Sequence, residues 1–497
     1  MNMYRASGIL LHPTSLPTSY GIGEIGAEAY EFVDFLVESK QSLWQIFPLG
    51  PTGYGDSPYQ SFSAFAGNPL LISIDELKNN GYISVKDLRS LKNLPADHVD
   101  FGSLIPLKYE ALKKAWQNFK KSNHSEQRAS FDQFRSKESY WLDDFALFMT
   151  LKHHNQGKVW TEWEAPFRNH NLDALENFSE EFRDEIEFHA FLQYLFESQW
   201  RKLKQYANQR NIKIIGDLPI FVSHDSSDTW SHRELFYLDS HGQPEVVAGV
   251  PPDYFSRTGQ LWGNPHYRWD TMQNNGFRWW ISRFRQLFEN VDIVRVDHFR
   301  GFEAYWEVPG NAATAEHGRW VKAPGEALFR ALLNELGKAP IIAEDLGFIT
   351  PEVHALRRQF GFPGMKILQF AFDSGPNNPF LPHNFTQNCV VFTGTHDNDT
   401  TLGWYRSLAK PERKNVLAYF NSSGENICWD MIRAAFSSTA HFAIVPLQDL
   451  LQLDTTGRMN FPGRLGGNWS WRYLKKQIKP SIARELSRLA AIYGRIV

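Results

Sequence analysis

Short apolar runs that close on an acid recur along this 497-residue chain, and they limit its fold more than any other feature. Ile212-Lys213-Ile214-Ile215-Gly216-Asp217, Val291-Asp292-Ile293-Val294-Arg295-Val296-Asp297, Pro340-Ile341-Ile342-Ala343-Glu344-Asp345 and Val390-Val391-Phe392-Thr393-Gly394-Thr395-His396-Asp397 each pass from strand-type residues into a carboxylate. Runs at Gly8–Leu11, Leu43–Leu49, Met365–Phe370 and Phe442–Leu447 read as further strands, which makes eight. Amphipathic stretches separate them. The first, expected as a helix from about Glu24 to Lys40, carries Ala29, Phe32, Val33, Leu36 and Val37 on one stripe. Eight strands alternating with helices predict a single (β/α)8 TIM barrel.

Two interruptions break the alternation. From about residue 77 to 204 long charged stretches dominate, with Leu, Phe and Trp at helical spacing, which predicts an inserted, mostly helical subdomain after the second strand. A second insertion, loop-rich, is expected at about 224–275. Inside it the prolines and glycines of 249–265 read as a long loop rather than a strand.

Composition removes several function classes. A net charge of −3 and a pI near 6.6 argue against nucleic acid or an anionic membrane as partner. Aromatic residues reach 15%, with 17 Trp, a surplus that suits stacking on neutral, hydroxyl-rich ligands such as sugars. Cys389 and Cys428 read as reduced thiols. The start, Met1 to Ser7, lacks an apolar signal core and no run is long enough to span a bilayer, so the expected location is cytoplasmic. Neither clustered Cys/His ligands, nor a calcium loop, nor a phosphate or dinucleotide fingerprint is found, so no metal and no cofactor are expected. The scattered acids Asp225 and Asp228 read as solvated.

Barrel enzymes carry their chemistry at the C-terminal strand ends, so Asp217, Asp297, Glu344 and Asp397 are expected at one mouth. Strand alternation puts Ile293, Arg295 and Asp297 on one face and Val294 and Val296 on the other. With the valines under the helices, Arg295 and Asp297 point inward, and the guanidinium is expected to keep Asp297 ionised, as a nucleophile requires. Glu344 follows Ile341-Ile342-Ala343, an apolar wall expected to raise its pKa toward that of a general acid. A lone acid after a strand is more often a helix N-cap, the reading preferred for Asp345. The Arg295–Asp297 pair taken alone reads equally as a structural ion pair. Four acids at corresponding strand ends do not reduce to caps.

One ionised and one protonated inward carboxylate form the apparatus of glycoside cleavage. Ile215–Val222, Val294–His298, Ala343–Gly347 and Thr395–Thr400 resemble the four short motifs of the α-amylase clan, in the form they take in the 4-α-glucanotransferases of glycoside hydrolase family 77, the amylomaltases and disproportionating enzymes. Gly50–Tyr59, Ala248–Phe255, Gln260–Pro265 and Arg458–Gly463 resemble the same family, and the likeness extends over nearly the whole chain.

The resemblance implies that Asp297 attacks the anomeric carbon. Glu344 would protonate the leaving oxygen and later deprotonate an acceptor hydroxyl, and Asp397 would hold the 2- and 3-hydroxyls of the distorted sugar. Arg295, His396, Asp217 and Tyr59 would bind or position around that sugar. The implied substrates are maltooligosaccharides and α-1,4-glucans, with glucose as an acceptor. Trp262, in a Gly/Pro-rich loop with little local packing, reads as a sugar platform. Asp373 reads as either a cleft contact or a helix cap, and Asn460 as a cleft contact. The 249–265 segment is the expected lid that keeps water from the intermediate. A retaining α-glucan hydrolase with the same residues is the nearest alternative, and a glucan-binding scaffold with a dead site is the more distant one.

Overall fold

The computed structural model describes residues 4–122, 125–252, 256–464 and 466–497. Among these residues twelve strands form two sheets. The strands are β1 (Ala6–Leu10), β2 (Leu43–Gln45), β3 (Lys213–Leu218), β4 (Val246–Val250), β5 (Gln260–Pro265), β6 (Ile293–Val296), β7 (Ala304–Pro309), β8 (Arg319–Lys322), β9 (Ile341–Ala343), β10 (Gly364–Ile367), β11 (Cys389–Phe392) and β12 (Phe442–Pro446). All eight runs expected as barrel strands contribute one. They pair in parallel in the order β10-β11-β12-β1-β2-β3-β6-β9. Across the remaining seam the Ala343 N–H donates to the Pro363 carbonyl at 2.9 Å, which closes a (β/α)8 barrel.

The two-residue period sorts side chains into two cores. Ala6, Leu10, Leu43, Ile215, Ile293, Ile342, Ile367, Val390 and Ile444 fill the barrel interior. Their neighbours Ile9, Trp44, Ile214, Val294, Val296, Ile341, Val391 and Val445 belong to the larger core under the helices. The valines flanking Arg295 therefore face the helices, and Arg295 faces the interior. In the first helix, Ala27–Glu38, the residues Ala29, Phe32, Val33 and Leu36 are buried as expected, but Val37 is exposed at the stripe's edge and Phe35 is buried instead.

Asp345 is not a helix cap. Its Oδ1 accepts the Met365 N–H at 2.8 Å and its Oδ2 faces Arg357 Nε at 3.1 Å, so it ties β9 to β10 across the seam. A side chain at Gly364 would put its Cβ 2.5 Å from that carboxylate, so this position has room only for glycine.

The helices Phe101–Lys121, Ser125–His154 and Arg183–Gln209 lie between β2 and β3. Lys108, fully buried on the first of them, pairs with Glu24, which precedes the barrel's first helix, and donates to the Ile72 carbonyl at 2.8 Å. The second sheet corrects the reading of 249–265 as loop. The end of β4 and all of β5 fall within it, and both strands join β7 and β8 in an antiparallel sheet of order β5-β4-β7-β8, with a bulge between Val247 and Gly249. Pro251 and Pro252 lie between β4 and β5 and Pro265 at the end of β5, where proline removes no essential ladder bond. Asp253, Tyr254 and Phe255 of the expected lid lie outside the described residues.

The two chain ends are stitched together. Strand β1 pairs with β12, and buried Arg495 donates to the carbonyls of Ala6 and His441. Buried Arg472 donates to those of Leu16 and Thr18. Among the described residues no helix is long and apolar enough to cross a membrane.

Candidate active site

The site grows from the register of β3 against β6, which sets Asp217 directly opposite Arg295. Both point into the barrel mouth. Arg295 Nη1 donates to both oxygens of Asp217, at 2.7 and 2.6 Å, and Nη2 lies 2.9 Å from Asp297 Oδ1. The Tyr59 hydroxyl donates to Asp217 Oδ2 at 2.7 Å. Burial acts against the Arg295 charge, but Asp217 and Asp297 reverse this and hold its proton more tightly than usual. Burial, followed by the charge on Asp217, raises the Tyr59 phenol well above its ordinary range, so it remains a donor.

The expectation that Arg295 keeps Asp297 readily ionised needs correction. Burial lifts the Asp297 carboxyl above its usual range, Arg295 opposes this, and the charges of Asp217 and Asp397 add to it. The guanidinium is divided between two carboxylates, and only one of its nitrogens serves Asp297. That carboxylate nonetheless keeps 31% of its side-chain surface open to the cleft.

Glu344 follows β9 directly. Its Oε2 accepts the His298 N–H at 2.7 Å and its Oε1 the Leu346 N–H at 2.9 Å. His298 reaches this geometry in the left-handed region, with φ 49° and ψ 48°, a conformation unfavourable for a residue with a side chain. Burial pushes the Glu344 pKa up to about 8, helped by the charge on Asp297 and opposed by Arg295 and the two backbone donors. The His298 ring stands edge-on to Trp262 of β5, with centroids 4.8 Å apart.

Asp397 lies beyond β11 on a loop and is 49% exposed. Its Oδ1 accepts from Asn460 Nδ2 at 2.6 Å, His396 Nε2 lies 3.4 Å from its Oδ2, and Arg458 Nη2 donates to its backbone carbonyl at 2.6 Å. His396 is buried and stacks on Tyr59 at 5.1 Å. Together Tyr59, Trp262, Asp297, His396, Asp397 and Asn460 help line one cleft of about 850 Å³. Asp373 does not line that cleft. It is exposed after β10 and caps no helix; its Oδ1 accepts from Asn378 Nδ2 at 2.9 Å.

Two neighbours were not singled out from sequence. Trp469, buried at φ 62°, packs on Tyr59, His396 and Phe47 at centroid distances of 5.7, 5.6 and 5.8 Å. The signal was available: it follows Gly466 and Gly467, the same aromatic-in-glycine context that marked Trp262. Arg458 joins the Asp397 and Asn460 carbonyls, a role with no local signature. Asp228, read as solvated, is buried and accepts the Ala64 N–H at 2.8 Å, while Asp225 pairs with Lys152 at 2.5 Å.

Tyr59→Phe keeps the stacked ring and deletes one hydrogen bond to Asp217. It should cost about 1 kcal/mol of transition-state stabilisation, roughly fivefold in kcat/KM. An unchanged kcat/KM would show that the hydroxyl serves only the fold.

Comparison with known proteins identifies the arrangement. The family profile described as 4-alpha-glucanotransferase matches residues 11–477. The chain belongs to the 4-alpha-glucanotransferase family. It is 50% identical over 504 residues to a 4-alpha-glucanotransferase of Thermus thermophilus, covering 100% of both chains. It is 49% identical to one from Synechocystis sp., with 99% and 98% covered. Among solved structures, the family fold recurs in the amylomaltase from Streptococcus agalactiae in complex with acarbose, at TM-score 0.96 and 42% identity over 99% of each chain.

Proposed function

We propose that this chain is a 4-α-glucanotransferase that moves a segment of an α-1,4-glucan to the 4-hydroxyl of an acceptor glucan or glucose, by two successive displacements. The observation that carries the reading is the contrast between the two inward carboxylates. Asp297 stands against a guanidinium and open to the cleft, while Glu344 holds its proton up to about pH 8. Asp297 attacks the anomeric carbon as the glycosidic C–O bond breaks, and Glu344 gives its proton to the departing oxygen. In the second step Glu344 takes the proton of the incoming hydroxyl, whose oxygen displaces Asp297. Two inversions return an α-linkage.

Asp397 holds the hydroxyls next to the reacting carbon, and Asn460 aligns Asp397. His396 and Tyr59 form one wall. Arg295, fixed by Asp217, orients Asp297, and Trp262 offers a stacking face. With the helix-cap reading gone, a glucan contact outside that cleft is the role left for Asp373. We assign the inserted segments of about 77–204 and 224–275 to supporting units, the second carrying the lid. Cytoplasmic glucan metabolism suits a chain whose cysteines, Cys389 and Cys428, are both buried and unpaired.

Maltotriose tests the reading. Transfer yields glucose together with a ladder of longer chains, whereas hydrolysis yields only shorter products and would overturn the proposal. Shortening the 249–265 segment between its two strands should raise hydrolysis relative to transfer. An unchanged ratio would remove the lid from the account.

A further inference from the structure

The antiparallel sheet carries a tryptophan on each edge strand. Trp262 of β5 faces the cleft, and Trp320 sits on β8 at the opposite edge, three strand spacings or about 14 Å away. Trp320 is 37% exposed and Phe348 is 69% exposed, and the two rings stack in nearly parallel planes, with centroids 6.4 Å apart and 23° between the planes. Single exposed aromatics are ordinary; two near-parallel rings sharing one support are not. That support is Arg300. Its guanidinium lies 3.7 Å over the Trp320 ring and 5.7 Å from the Phe348 ring. Nη1 donates to the Phe348 carbonyl at 2.5 Å and Nε to that of Ala304 at 3.3 Å. The pair is therefore held in place without a ligand, which lowers the cost of using it.

Its position links it to the chemistry. Phe348 is four residues from Glu344, no more than about 14 Å of chain. Arg300 is three residues beyond Asp297, in the short helical turn Phe299–Phe302. Neither Trp320 nor Phe348 lines the cleft formed with Tyr59 and Trp262. The pair is thus tied by short chain segments to both reacting acids, and a chain whose hydroxyl gives its proton to Glu344 must extend beyond that residue.

We infer that Trp320 and Phe348 form a stacking site for the acceptor glucan, engaging sugar units beyond the one whose 4-hydroxyl reacts. This rests on the transferase reading above. An apolar, rigidly backed pair of near-parallel rings suits the C–H faces of glucose units beyond the reacting one and offers nothing to a single glucose held at Glu344.

The test uses the full-length enzyme with α-maltotriosyl fluoride as donor and either glucose or maltopentaose as acceptor, in wild type, Trp320→Ala and Phe348→Ser. Phe348 is largely exposed, so its variant keeps the fold if the buried edge of Trp320 proves structural. We expect each variant to raise the KM for maltopentaose about fivefold and to leave the KM for glucose unchanged. Wild type that transfers, with variants whose KM ratio between the two acceptors is unchanged, would overturn the platform. So would equal loss with both acceptors. Wild type that transfers to neither acceptor would instead overturn the transferase reading itself, and the platform with it.

Discussion

Asp297→Asn should lower transfer from any α-glucan donor by about four orders of magnitude or more, while the cleft still binds maltooligosaccharide. The amide is nearly isosteric, so the barrel and the Arg295–Asp217 contacts persist, but it cannot form the glycosyl ester. Residual turnover should not recover with an activated donor, because the missing group is the nucleophile and not the acid. The measurement is the maltotriose ladder together with binding by calorimetry. A variant retaining more than about one per cent of wild-type transfer would transfer the nucleophile's role to another carboxylate. Asp397, more exposed and held by Asn460, would then be the next to replace.

Glu344→Gln should behave differently. Loss of general acid and base catalysis costs about 10²- to 10⁴-fold with maltotriose. Formation of the intermediate should be largely restored with a glycosyl fluoride, whose leaving group needs no proton. A small anion such as azide needs no base and should then intercept that intermediate as an α-glycosyl azide. No rescue by either reagent would deny Glu344 the acid–base role. In the wild type the same assignment predicts a bell-shaped kcat/KM. Its alkaline limb falls near pH 8 as Glu344 ionises, and its acid limb lies above the usual aspartate range because Asp297 is raised.

The raised Glu344 pKa also bears on stability. The folded state holds this proton more tightly than the unfolded chain, in which glutamate titrates near 4.3. The resulting penalty is absent below about pH 4 and grows as pH rises toward 8. Glu344→Gln removes it, so the variant should melt a few degrees above wild type at pH 8 and at the same temperature at pH 4. A lower melting point at pH 8 would show that the two backbone donors stabilise the carboxylate more than burial opposes it.

Local periodicity made the barrel readable. Val294 and Val296 face the helices because strand geometry allows nothing else, and Arg295 is thereby turned inward. What stayed hidden depends on partners far along the chain. The proton-bearing partner of Asp345 is the Met365 N–H on the next strand, so a cap was the natural misreading. Asp228 accepts the N–H of Ala64, which lies 164 residues away. Prolines between and at the ends of β4 and β5 masked two short strands whose pairing depends on β7. The division of Arg295 between two acids follows from cross-strand register with Asp217, and no pattern within Val291–Asp297 announces it.

The stitching of β1 to β12, with Arg472 and Arg495 gripping carbonyls of the first twenty residues, sets the order in which the enzyme can come alive during translation. Asp217, Asp297 and Glu344 leave the ribosome well before the strand that completes the staves. Until the final segment emerges, the nascent chain holds its acids in an open sheet whose first strand is paired on one side only. A ribosome stalled short of residue 442 should therefore carry a protease-sensitive, silent polypeptide, and release of the last fifty-odd residues should switch both properties together.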